Sequence, residues 1–450
     1  MPEDPLIAEL SELLRDWVPR QPWFEPPTRT LGMAIADVHP RRFEVLRRQR
    51  PLMVWTPVEI SAEDDSVSHH QVLIGIDSVA PTRPDHPAII GPIEHHGQTA
   101  VAYDAFVDPR LATIFAKRVA PDLTIIDVRL FESSASNSSL IIDERFVLKL
   151  FRRLEPGANP DVELPERLGR NGMLTVPVPV AVWRKGDTDL AVVRRWHRSI
   201  ASGADLAQRS LSEMLRRRAR PREIQADFAP SAERLGATLG QLHTAIAEAF
   251  GSEPTSARGL VTELLVQLRA VVGSDELSVP VEQAYRALLE STDYGQVIRV
   301  HGDLELSNTL WNGQDWTIVD FEGDLTRTME QRRMPSSPLR DVAAMVQSFH
   351  HASIRALHSW PEGADREHEL LAQAWVERAT DSFLSGYTTN DAVHRLLPKD
   401  RMSRDELMTL YEIDRTISIM ARRVGKKPEA MHRLRSDVER LLIPRAKMRW

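Results

Sequence analysis

The run from His301 to Glu322 leaves this chain little conformational choice. Thr309-Leu310-Trp311 has strand character, Asn312-Gly313 is a turn signal, and Trp316 to Phe321 alternates at period two, so the segment folds back as a hairpin. With a loop over 312–315, Trp311 pairs with Trp316, and Asn308 falls opposite Val319, one residue from Asp320. A two-residue turn would pair Asn308 with Thr317 and carry Asp320 away; the wider loop is the reading adopted. Paired strands run about 4.8 Å apart. The amide oxygen at 308 and the carboxylate at 320 then reach one cation at about 2.1 Å each.

That register has a chemical meaning. His301-Gly302-Asp303 precedes Asn308, and Ile318-Val319-Asp320-Phe321-Glu322 follows the turn. An Asp that accepts a hydroxyl proton, with an Asn and a second Asp to hold Mg2+, suits phosphoryl transfer, where catalysis is mostly positioning and charge neutralisation. The plain alternative is that Asp303 caps a turn and Asp320 merely ends a strand. Several compatible residues in one register favour the chemical reading.

At 450 residues, 42% hydrophobic and 27% charged, the chain has the composition of a globular protein of two or three domains. It contains no cysteine, which excludes disulfides, thiolate nucleophiles and cysteine-ligated zinc. A formal charge of −7 gives no reason to expect a nucleic-acid partner, and the Arg216-Arg217-Arg218-Ala219-Arg220 run reads as the basic end of a helix. No stretch approaches membrane-spanning length, and Met-Pro-Glu-Asp-Pro lacks the regions of a signal peptide. A cytoplasmic protein without membrane contact is therefore expected, as a monomer, with a dimer as the alternative.

Texture divides the chain into 1–90, 91–200 and 201–450. The first part is rich in Pro and Arg, with strand-like runs at Leu52 to Ile60 and Gln71 to Ile76; the second has short β-like segments; the third is mostly helical in periodicity. Strands followed by helices give an α+β, bilobal, protein-kinase-like arrangement with an N-terminal β-containing cap in front. The second part, the nucleotide-binding lobe, carries Lys149 among apolar strand residues. Glu163 follows on a helix that starts at Asn159-Pro160-Asp161, and a strand Lys held by a helix Glu is how two-lobe kinases aim an ammonium at phosphates. No Gly-rich phosphate loop precedes Lys149. Instead a serine-rich segment, 133–139, stands between two candidate strands, where small hydroxyl residues let backbone N–H groups approach phosphates.

The segment Leu148 to Asp161 resembles the part of actinobacterial maltokinases that bears their phosphate-contacting lysine. Asp320-Phe321-Glu322-Gly323, Ser337-Pro338-Leu339-Arg340-Asp341-Val342 and Trp23-Phe24 are similar to further motifs of those enzymes, in the same order. Actinobacterial glucosamine kinases share this architecture. The resemblance implies a fold related to aminoglycoside phosphotransferases, an N-terminal cap, and ATP- and Mg2+-dependent phosphorylation of maltose or of an amino sugar such as glucosamine. It also implies Asp303 as base, Asn308 and Asp320 on the metal, a Lys149–Glu163 ion pair, and Ser136, Asn137, Ser138 and Ser139 over the phosphates. Two readings stand beside it: a kinase of an aminocyclitol or aminoglycoside antibiotic, and a non-catalytic nucleotide-binding regulator.

Ser403 and Glu406 form a capping-box pattern with Gly425 as a stop, which predicts one helix over 404–424. Asp414 lies on its apolar stripe with Leu407, Leu410 and Ile417. An unpaired carboxylate there is costly, so Asp414 either pairs with an arginine inside the helical part or faces a cleft and binds the acceptor. The acceptor candidates are Glu305, Glu322, Asp324, Tyr411, Glu412 and Asp414. Glu305 stands where maltokinases usually carry histidine, and its charge would draw an ammonium toward the base. Trp311, Trp316, Trp360 and Trp375 read as core.

Overall fold

The computed structural model describes residues 5–24, 35–95, 97–131, 137–173, 175–272, 276–290, 293–361, 363–423, 435 and 437–442. Two compact units emerge: Met1–Val162 with Val178–Trp196, and Glu163–Pro177 with His197–Trp450.

The first unit contains two antiparallel sheets. The larger, seven-stranded one takes β1 (Ile35–Pro40), β2 (Glu44–Arg47), β3 (Leu52–Ala62), β4 (Val67–Asp77), β5 (Ile89–His95) and β6 (Gln98–Asp104) in the order β1-β3-β4-β6-β5, with β2 beside β3. The smaller holds β7 (Val128–Phe131), β8 (Asn137–Ile142) and β9 (Phe146–Phe151). β10 (Arg153–Leu154) follows β9 but pairs with β4 of the larger sheet. β11 (Pro179–Lys185) and β12 (Thr188–Arg195) complete the smaller sheet in the order β11-β12-β9-β8-β7.

Strand β3 shows why the larger sheet reads as a nearly unbroken apolar run. Leu52, Val54, Val58 and Ile60 face one core, against Leu10, Leu14 and Trp17 of α1 (Pro5–Trp17). Met53 and Trp55 face the other, which α2 (Pro109–Val119) fills with Leu111 and Phe115 and which Leu140, Leu148 and Leu150 of the smaller sheet complete. A strand buried on both faces loses the polar half of its alternation. The larger sheet continues to Asp104, beyond the boundary expected at 90, because β6 is bound to β4, and β5 to β6, by backbone pairing that composition does not reveal.

Helix α3 (Pro160–Arg170) begins as expected: the Asn159 side chain accepts the Asp161 N–H at 2.9 Å. In the second unit, α4 (Gly203–Arg217) ends at Arg218, which is left-handed and pairs with Asp365 and Glu367. α5 (Ala229–Phe250), α6 (Ala257–Val271), α7 (Ser278–Ala287), the short α8 (Met329–Arg333), α9 (Leu339–His358), α10 (Arg366–Tyr387) and α11 (Arg401–Arg423) follow. Five short strands lie among them in the described residues: β13 (Ala201–Ser202), β14 (Glu253–Pro254), β15 (Gln296–Val297) and β16 (Thr309–Trp311), the last forming a hairpin with β17 (Trp316–Ile318). None of the described helices is long and apolar enough to cross a membrane. Trp316 and Trp375 are core residues with their indole N–H groups satisfied by Ser231 and Ser210; Trp311 and Trp360 are half-buried.

α11 starts earlier than predicted. Asp400 accepts the Ser403 N–H at 2.8 Å, so Ser403 sits in the first turn and does not cap it. A carboxylate three residues ahead outcompetes a serine hydroxyl for the same kind of donor. Gly425 lies outside the described residues.

Candidate active site

The hairpin has the wider register. Thr309 pairs with Ile318, Leu310 with Thr317 and Trp311 with Trp316. Asn312 holds the loop by accepting the Gln314 and Asp315 N–H groups, both at 2.8 Å. Val319 N–H donates to the Asn308 carbonyl at 2.9 Å, which places Asn308 beside Val319 and next to Asp320. The Asn308 amide nitrogen donates to the Asp303 carbonyl at 3.0 Å, so its oxygen is the end left to serve as a ligand. Asp320 has φ 69°, a left-handed conformation that Asp tolerates better than most residues. An oxygen of Asp320 and one of Glu322 come within 4.8 Å of each other. Hard oxygen donors in this arrangement fit a small divalent cation.

The turn that carries Asp303 is fixed by the buried carboxylate of Asp341 in the first turn of α9. It accepts the His301 N–H at 2.7 Å, the Gly302 N–H at 2.8 Å and His243 Nε2 at 3.1 Å. His243 Nδ1 is 2.8 Å from the Tyr387 hydroxyl, so the Tyr387 O–H donates to Nδ1 while Nε2–H donates to Asp341. Burial alone would raise the Asp341 carboxyl; the His243 hydrogen bond, with the backbone N–H donors, holds it below the ordinary range. Gly302 has φ 78°, and a Cβ there would stand 3.5 Å from the Gly323 Cα, so the two site-bearing turns meet almost backbone to backbone.

The first unit holds the nucleotide-side candidates, and one pairing differs from expectation. Lys149 pairs with Asp161 at 2.9 Å and not with Glu163. Arg194 of β12 grips the same Asp161 with both terminal nitrogens, at 3.0 and 2.6 Å. Burial would raise the Asp161 carboxyl, but Arg194 and Lys149 hold it well below the carboxylate range. Glu163 instead pairs, inside the second unit, with Arg299 at 3.2 Å and Arg333 at 3.1 Å. Residues two apart on a helix point about 200° apart, so Asp161 and Glu163 cannot serve the same partner. Asn137, Ser138 and Ser139 lie within β8 and not in a loop, and Ser138 accepts Arg152 Nε at 2.8 Å. Ser136 lies outside the described residues.

The acceptor candidates separate clearly. Glu305 has a side chain 44% exposed, and its Oε2 is 3.5 Å from Arg415 Nη2. Asp324, Tyr411, Glu412 and Asp414 are interior residues. Asp324 holds its own turn through Thr326, and the Tyr411 hydroxyl is 3.5 Å from Ser336 Oγ. Of the two readings of Asp414, pairing with arginine is the one found: Arg327 at 2.8 Å and Arg340 at 3.2 Å. Both arginines also reach Glu263, at 2.6 and 2.7 Å, which closes a ring of four charges. Asp324, Tyr411 and Asp414 are thus held by neighbours within the second unit. Glu322 is buried, and its carbonyl accepts Arg332 Nη1 at 2.7 Å.

Sequence reasoning missed Asp161, Arg194, His243 and Arg415. Asp161 carried a signal, since it lies in the first turn just after the Asn159 cap. Arg415 gave none: Arg415 Nη1 pairs with Asp303 Oδ1, a contact between residues far apart in the chain.

Residues 127–350 match the model of the phosphotransferase enzyme family, and residues 17–108 match that of the maltokinase N-terminal cap domain. A glucosamine kinase of Streptacidiphilus jiangxiensis is 28% identical over 296 residues, covering 61% of this chain and 64% of the relative. A glucosamine kinase of Mycolicibacterium smegmatis is 26% identical over 238 residues, covering 49% and 58%. These matches span less than two thirds of each relative. Among solved structures, a glucosamine kinase in complex with glucosamine, ADP and inorganic phosphate is similar with a TM-score of 0.58 at 19% identity, covering 96% of this chain and 99% of that one. A glucosamine kinase crystallised in another form gives a TM-score of 0.60 at 19% identity, covering 89% and 93%. The chain thus carries a region of the phosphotransferase enzyme family over residues 127–350, preceded over residues 17–108 by a maltokinase-type N-terminal cap domain.

Proposed function

We propose that the protein is an ATP-dependent kinase that transfers the γ-phosphoryl group to a hydroxyl of a sugar, with maltose and amino sugars such as glucosamine as the acceptor classes to test. The observation that carries the reading is the placement of Asn308 beside Val319, next to Asp320, while Asp341 fixes the turn that bears Asp303. In this reading Asp303 orients the acceptor hydroxyl and takes its proton as the new phosphate ester bond forms. Lys149 and Arg194, held on Asp161, offset negative charge on the phosphate chain. Asn308 and Asp320 would hold Mg2+, which when bound supplies further neutralisation of the phosphates.

Replacing Asp303 with Asn keeps its shape and removes the proton acceptor. ADP release with a sugar acceptor should fall by about 10²–10⁴-fold, the range general-base removal gives. Mg-ATP binding, followed by fluorescence titration, should stay near that of the parent. Undiminished turnover would refute the role given to Asp303.

A further inference from the structure

We propose that Arg415 selects the acceptor: it occupies the cationic position beside the base, so the site takes an uncharged sugar in preference to one carrying an ammonium next to the reacting hydroxyl. The inference rests on the sugar-kinase reading and narrows it.

Arg415 lies on α11 with its side chain only 8% exposed. Nη1 pairs with Asp303 Oδ1, and Nη2 reaches toward Glu305 Oε2 at 3.5 Å. Glu305 is also held by the Ser307 hydroxyl. The two carboxylates that would draw an ammonium are thus already served by a guanidinium, which is charged at every physiological pH. An ammonium brought to Asp303 would stand beside that fixed positive charge in a poorly solvated place, where like charges repel strongly. A neutral hydroxyl meets no such conflict. It can donate to Asp303 and accept an N–H from Arg415.

Arg415 is also poorly placed to step aside. Its neighbour Asp414 is locked to Arg327 and Arg340, and both arginines are bound to Glu263 of α6. α11 is therefore anchored one residue away from the guanidinium.

The test uses the full chain with Mg-ATP and reads ADP release on glucose, maltose and glucosamine. Glucose and glucosamine differ only by hydroxyl against ammonium at one carbon, so their kcat/KM ratio isolates the charge. The parent should favour the better neutral sugar over glucosamine by about tenfold or more, the discrimination about 1.4 kcal/mol supplies. Arg415→Met keeps the aliphatic stem and removes the charge; it should move the ratio at least tenfold toward glucosamine, whatever its effect on absolute rate. Should that variant fail to fold, Glu305→Gln on the half-exposed carboxylate decides: glucosamine and glucose should change together. A parent that prefers glucosamine, an unmoved ratio in Arg415→Met, or a selective loss of glucosamine activity in Glu305→Gln overturns the inference alone. No ADP release with any neutral or amino sugar overturns the sugar-kinase reading and this inference with it.

Discussion

Asp341, itself fully buried, receives hydrogen bonds from two successive backbone N–H groups of the turn that bears Asp303 and from the buried His243. Because its carboxyl is held below the value of an unfolded aspartate, about 3.9, the native state prefers the ionised form. That contribution is fully present above pH 4 or so, and is lost as pH falls through the lower native value. Urea midpoints measured from pH 7 down to pH 3 should therefore drop at the acid end, and Asp341→Asn should flatten that part of the slope. At pH 7 the same variant should lose about 3–5 kcal/mol, since it strands buried donors and a histidine that the carboxylate had satisfied. An unchanged acid limb would show that other carboxylates set it. The contrast with Asn308 and Asp320 is instructive. The placement of Asn308 beside Val319 and next to Asp320 could be read from the sequence because a hairpin register sets it over a short span; Asp341 meets His301 and His243 only after α5, α9 and α10 have packed, and no local period encodes that.

Packing decides the helical elements in the same way. α5 and α10 cross so closely that a Cβ on Gly386 would lie 1.8 Å from the Glu233 carbonyl oxygen, and one on Gly236 would lie 2.0 Å from that of Phe383. No real side chain survives such a distance, so the helices would have to part. Gly386→Ala should cost at least the roughly 1–3 kcal/mol of an overpacked core, read as a lower urea midpoint. Gly259→Ala on the exposed side of α6 meets only Ser256 Oγ, at 3.3 Å, and serves as the control, with a change near zero or a gain of about 0.5–1 kcal/mol. Equal effects of the two substitutions would deny the close crossing any special role. Periodicity announced helices after Gly203 and alternation announced the hairpin, but a glycine that permits contact looks in sequence like one that only loosens a helix. The α11 boundary shows the same limit, because Ser403 and Asp400 are both good caps and only the backbone geometry selects between them.

At the scale of the molecule, the unit boundary falls inside α3, between Val162 and Glu163. That explains the misread ion pair: Asp161 belongs to the unit of Lys149, and Glu163 finds its arginines in the other. The change from strands to helices along the chain was legible from periodicity, since a strand repeats every two residues and a helix every 3.6. A protein of net charge −7 has no general attraction for a polyphosphate, so nucleotide affinity must come from local cations and a metal. Ligand binding to the native state adds about 2.7 kcal/mol of stability when ligand is a hundredfold above its Kd. Thermal unfolding with Mg-ATP should therefore shift upward, and ATP with EDTA should give a smaller shift. Asp320→Asn should remove the increment that magnesium adds while leaving the EDTA value in place. Lys149→Met should reduce the shift under both conditions, because the charge it deletes acts on the phosphates and not through the metal. If magnesium still raised the midpoint of Asp320→Asn as much as that of the parent, the cation would have to be held by other oxygens, and the hairpin would lose its assigned role.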